Sequence, residues 1–113
     1  MELIIIAHIV NIIVAGSIGT LLLINHPSMA RAYGDETPAR SILMCMYLTT
    51  AILSGAALAF SAITIMVALV LFPFQIIYKV ATVATVGIRN PIVIINLVIV
   101  ILLAAALFLV VGV

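Results

Sequence analysis

A chain of 113 residues with 68% hydrophobic and 6% charged side chains is not a water-soluble domain, in which about a quarter of residues carry charge. A mean hydropathy of +1.59 leaves too little polar surface to stay dispersed in water, so the chain reads as an all-α integral membrane protein forming one domain over 1–113. A net charge of +1 gives no nucleic-acid footprint, and the single cysteine, Cys45, excludes an internal disulfide and a two-cysteine redox motif.

The first apolar run, 3–24, follows Glu2 and lacks the basic flank and small-residue cleavage site of a signal peptide. It is long enough to cross the hydrocarbon core and is read as a retained span. Within it His8 and Asn11 are three apart on one face. Ala15 and Gly19 continue that face at four-residue spacing, as a small-residue surface for a neighbouring helix. Helix packing, with Asn11 bonding across helices, is the favoured reading of this face. A ligand or proton site at His8 is the sharper one, and His8 is expected within reach of water near the end of the span.

The polar stretch 25–40, NHPSMARAYGDETPAR, is expected to be a connector holding a short interfacial helix, PSMARAY, closed by Gly34. Met29 and Tyr33 share one face of it, and Arg31 points to lipid phosphates. Asp35 and Glu36 are expected in solvent or paired with Arg31 or Arg40. Thr37-Pro38 reads as an N-cap followed by proline at the first helical position.

The second apolar block, 41–87, would form a helix roughly 70 Å long, more than twice the core thickness, so it must fold back. The weak break at Phe60–Ser61 divides it into spans 41–59 and 62–86. In the first of these, Ala51, Gly55 and Ala59 form a small-xxx-small ridge for helix packing, and Cys45 is expected as a small buried apolar residue. In the second, Pro73 should kink the helix, and Gln75 and Lys79 lie four apart beside Tyr78. Gly87 suits the C-terminal stop, and Asn90-Pro91 starts a fourth span, 91–113, that carries Asn96. Hydrocarbon forces each run to be helical, and four segments are too few for a barrel. The result is an up-down bundle of four transmembrane helices.

Gln75, Tyr78, Lys79 and Asn96 sit at similar depth and are the candidate binding residues, an inner-leaflet polar pocket. The competing reading is Lys79 snorkelling to the interface with Tyr78 as a belt residue. Arg31, Arg40, Lys79 and Arg89 all fall near the first and third loops, which places those loops in the cytoplasm, both termini outside, and the protein in a prokaryotic inner membrane. No catalytic residue, metal ligand set or cofactor motif is expected: no carboxylate lies within a span, and His8 and His26 fall on opposite sides of the membrane. Small multidrug-resistance exporters share this length, but the glutamate they carry in the first span is missing here.

The pattern P..ARAYG, then Arg40 and Tyr47, then Q..YK and a final span, is similar to small bacterial four-helix membrane proteins of the broad DoxX-like kind. That resemblance implies the four-helix topology and carries no residue role. The function expected is a non-catalytic accessory, structural or assembly subunit of a larger membrane complex, with other membrane subunits or further copies of the chain as partners. The alternative is a small-solute or ion transporter working as an oligomer.

Overall fold

The computed structural model describes residues 2–111. It is all α: α1 (Glu2–Leu23), the short α2 (Pro27–Tyr33), α3 (Pro38–Ala59), a 3-10 turn (Ser61–Ile63), α4 (Thr64–Thr85) and α5 (Pro91–Val111). Four of these are long and apolar enough to cross a membrane, so the chain is an integral membrane protein of four transmembrane helices. At 1.5 Å per residue each is about 32 Å long, enough to cross the hydrocarbon core. The expected end of the fourth span at 112–113 lies outside the described residues.

Local chemistry sets the helix ends. The Thr37 hydroxyl accepts from Arg40 N at 3.2 Å, and Pro38 fills the first helical position, where no amide partner is needed. Asn90 caps α5 likewise: its Oδ1 accepts from Ile92 N at 2.9 Å. Gly34 and Gly87 close α2 and α4 at φ of +80° and +99°, a backbone region that a Cβ disfavours. The turn after α3 falls at Phe60, in extended conformation. The helix of α4 runs through Pro73 unbroken.

The helices alternate in direction, so the chain start, the α3–α4 turn and the far end of α5 share one end of the bundle, the turn end. The two polar loops share the other, the loop end. The α1–α3 pair is the most extensive, α4 packs on α5, and α1 also touches α4 and α5. Gly19 lets α1 and α3 come together: a Cβ there would lie 2.7 Å from Leu48 Cδ2. Apolar transfer drives nothing between helices in lipid, so close packing of this kind contributes to the association energy beside hydrogen bonds between helices.

Two apolar clusters fill the ends. At the turn end Ile4, Ala7, Phe72 and Leu103 pack between α1, α4 and α5. At the loop end Ala15, Ile18, Met29, Tyr47 and Ile92 pack around α1, with α2 folded beneath. Arg40 is buried, and its guanidinium donates to Gly34 O at 3.0 Å and to Asn25 Oδ1. It therefore ties the connector to α3 through neutral acceptors. Asp35, Glu36 and Arg31 are exposed.

Two sequence expectations need correction here. Cys45 is exposed on the bundle's flank, because its helix turns that face to lipid, where a thiol is as well tolerated as in a core. The ridge on α3 meets α1 only at Ala51, which lies against Gly16. Gly55 has nothing within 4 Å of an added Cβ, and Ala59 is exposed; the face α3 buries is instead Tyr47, Thr50, Ser54 and Ala57.

Candidate functional site

Between the two apolar clusters runs a column of buried polar side chains. Each helix contributes at its own spacing: His8 and Asn11 from α1, Ser54 from α3, Gln75 and Lys79 from α4, and Asn96 from α5, all nearly or fully enclosed. Such groups are costly in a membrane and persist when they find partners.

The half nearer the turn end centres on Ser54. His8 Nε2 lies 3.1 Å from the Thr64 carbonyl, which only accepts. In the neutral imidazole the proton therefore sits on Nε2. Nδ1 then accepts from the Ser54 hydroxyl at 3.2 Å. Ser54 Oγ accepts in turn from Asn11 Nδ2 at 3.4 Å, and the same amide donates to Gln75 Oε1 at 3.0 Å. The imidazole also packs on Phe72, with ring centroids 4.9 Å apart. His8 has no exposed surface. The expectation of water access fails because the α3–α4 turn folds over the end of α1 and puts Thr64 against the ring.

The half nearer the loop end centres on Lys79. Its Nζ donates to Asn96 Oδ1 at 2.8 Å and lies 5.3 Å from the centroid of the Tyr78 ring. The Asn96 amide lies beside the Tyr47 phenol, and the Gln75 amide beside that of Tyr78. Tyr47 is bonded through its hydroxyl to Tyr33 on α2, and the two rings meet edge to face. Burial first, and Tyr47 beside it second, push the Tyr33 phenol far above the ordinary tyrosine range.

The four residues expected together are linked through Tyr78, whose ring lies 5.3 Å from Lys79 Nζ and whose phenol lies beside the Gln75 amide. Lys79 and Asn96 are joined directly, Gln75 turns to Asn11, and Tyr78 is half-buried at the flank, edge to face with Phe74. Ala15 and Gly19 are buried at the α1 interface. Ser54, Thr64 and Tyr33 belong to the column as well. The sequence gives no signal for Ser54 and Thr64, since serine and threonine in a membrane helix commonly bond their own backbone, as Thr49 and Thr50 do here.

Every buried side-chain nitrogen and oxygen among the described residues has a hydrogen-bond partner. No group of three or more histidine, cysteine, aspartate or glutamate side chains among them is placed to hold a metal ion. A lateral groove of about 640 Å³ lies between α3 and α4, walled by residues such as Ile42, Met46, Leu53, Met66, Val70 and Tyr78.

Comparison with known proteins yields no match, whether to a family model, to a curated protein or to a solved structure.

Proposed function

We propose that this small multi-pass membrane protein is a non-catalytic accessory or assembly subunit of a larger membrane complex. The observation that carries the reading is the closed polar column. Each of its buried side-chain nitrogens and oxygens has a partner within the bundle, which supports a role in fixing helix register. An enzyme needs a positioned acid, base, nucleophile or metal facing a space that a substrate enters. Such a bundle offers other membrane subunits its apolar flanks, including Ile52, Ile77, Val98 and Ile101.

The orientation proposed with it puts the two polar loops in the cytoplasm of a prokaryotic cell and both termini outside, because the four basic side chains flank those loops. A kinship with the broad DoxX-like group is part of the same proposal and rests on the short motifs around Arg31, Tyr47 and Lys79.

One observation favours a transporter acting as an oligomer: Lys79 is a buried cation with a neutral partner, in line with a column that spans much of the bundle. The two readings separate by extracting the protein from its native membrane in mild detergent and weighing the intact complex. The accessory reading expects a fixed stoichiometry with different subunits, lost together with their assembly when the chain is deleted. A homo-oligomer alone, whose solute flux in vesicles disappears in Lys79→Met while insertion is retained, would establish transport instead.

A further inference from the structure

The loop end holds a small cavity, about 210 Å³, between the last turn of α1 and the first turn of α3. Leu22, Leu23 and Met44 give it apolar walls, and Glu36, Arg40 and Ser41 give it polar ones. Arg40 and Glu36 are the charged side chains that line it, one of each sign. Within a helix, opposite charges four residues apart pair readily. Glu36 instead precedes the extended Thr37 cap and lies outside the helix, whereas the bond from Arg40 N to Thr37 Oγ1 fixes Arg40 in the first turn.

The guanidinium bonds elsewhere. Arg40 is 5% exposed and donates to Gly34 O at 3.0 Å and to Asn25 Oδ1. Both acceptors are neutral, so its bonded partners bring this buried cation no counter-charge. The carbonyls of Leu21 and Leu22 at the end of α1 are taken by His26 N at 2.9 Å and Asn25 N at 3.2 Å. The two bonds of Arg40 use two of the five donors of a guanidinium. They also hold it in place, so a ligand meets a fork that is already ordered. Glu36 and Ser41 are exposed, on the side of the cavity that meets water.

These walls select a ligand by charge. A simple anion on Arg40 meets the Glu36 carboxylate, and a simple cation on Glu36 meets the guanidinium. A zwitterion satisfies both. The guanidinium pairs with a phosphate group through parallel N–H donors, and the carboxylate accepts from a primary ammonium. A phosphate ester of a short amine, with roughly eight heavy atoms, fits a volume that holds roughly seven waters at about 30 Å³ each. Leu22 and Leu23 close α1 and Arg40 stands at the start of α3, so the cavity lies at the ends of two spans, at the depth of lipid headgroups.

We propose that the cavity between α1 and α3 is a binding site for a zwitterion that carries a phosphate and a primary ammonium, with the phosphate on Arg40 and the ammonium on Glu36. The headgroup of phosphatidylethanolamine and free phosphoethanolamine share that chemistry. This site is separate from the polar column and independent of whether the chain serves a complex or a transport pathway.

The test uses the full-length protein in mild detergent, with bound lipid counted by native mass spectrometry and phosphoethanolamine titrated by calorimetry. Phosphatidylethanolamine should bind about tenfold more tightly than phosphatidylglycerol or phosphatidylcholine with identical chains, the worth of one hydrogen bond between charged groups. Glu36→Gln should bring phosphatidylethanolamine down to the level of phosphatidylglycerol and should not weaken phosphatidylglycerol. Ser41→Trp, which fills the cavity from an exposed position, should remove the preference with the thermal midpoint unchanged. Arg40→Gln should abolish binding, but it also cuts the ties to Gly34 and Asn25, so the first two variants decide. Phosphoethanolamine that binds the parent chain and not Glu36→Gln would assign the site to the zwitterion in its free form as well. Binding of the lipid without the free zwitterion would assign it to the membrane headgroup. Equal binding of the three lipids with no uptake of phosphoethanolamine would overturn the proposal, as would a preference that survives Glu36→Gln or Ser41→Trp.

Discussion

Lys79 and Asn96 face each other across the α4–α5 interface, Nζ to Oδ1 at 2.8 Å, with each residue at most 3% exposed. The pair joins a charged donor to a neutral acceptor, so its two halves are not equivalent. Replacing Lys79 with Met removes the buried charge and its desolvation cost together, and leaves Asn96 with Tyr47 beside it. Replacing Asn96 with Leu keeps the ammonium and takes its acceptor. Asn96→Leu should therefore lower stability by about 2 kcal/mol, and Lys79→Met should be nearly neutral. Thermal unfolding of both variants in the same detergent checks this, and equal losses would contradict it.

Gly19 and Gly55 provide a matched pair on facing helices. A methyl group at Gly19 would meet Leu48 Cδ2 at 2.7 Å, Leu48 Cγ at 2.9 Å and the Leu48 backbone nitrogen at 3.4 Å. The side chain can turn aside in part; the backbone cannot. Gly19→Ala should push α1 from α3 and cost about 1–3 kcal/mol, and Leu48→Ala in the same chain should recover part of that loss. Gly55→Ala meets nothing within 4 Å and should be neutral, or stabilising by up to about 1 kcal/mol from helix propensity. The order of the three midpoints, measured by unfolding in mixed micelles, is the readout.

The topology was legible because hydrocarbon imposes it. Apolar runs of fixed length, Thr37-Pro38, Asn90-Pro91, and the forced turn at Phe60 lead to four helices without reference to any contact. The site was less legible. Gln75 and Lys79 share a helical face, yet one bonds to α1 and the other to α5, since spacing fixes direction from the axis and not which neighbour stands there. Cys45 and Gly55 were misplaced for a related reason. In a membrane both the core and the lipid side are apolar, so the periodic contrast that marks a buried face in water is missing. Only the polar residues reveal the inner face, and His8, Asn11, Gln75, Lys79 and Asn96 do mark it.

Tyr33 makes stability depend on alkaline pH. Its phenol is half-buried under the connector and bonded to Tyr47, and burial raises its pKa above the ordinary value of 10. A raised pKa means that above pH 10 the folded chain holds a proton that the unfolded chain has released. Stability is then full below pH 10 and falls as pH rises beyond it. The expected result is a drop in thermal midpoint starting near pH 10, together with phenolate absorbance that lags behind a free tyrosine. Tyr33→Phe should flatten the alkaline drop. A midpoint that is insensitive to pH between 9 and 11 in the parent chain would contradict the burial of this phenol.

The proposed orientation, argued from the basic residues near the two polar loops, is open to direct labelling. In a Cys45→Ala background, single cysteines replace Glu36 in the connector, Ser61 in the α3–α4 turn and Ile88 after α4, all exposed positions. None of the three removes a basic residue, so the bias that sets orientation is kept. With the polar loops in the cytoplasm, a membrane-impermeant maleimide should label Ser61→Cys in intact bacterial cells. Glu36→Cys and Ile88→Cys should react only in inverted vesicles. The reverse pattern would invert the orientation and leave the fold intact. Labelling of Glu36→Cys and Ser61→Cys from the same side would break the four-span topology, because α3 must cross the membrane between them.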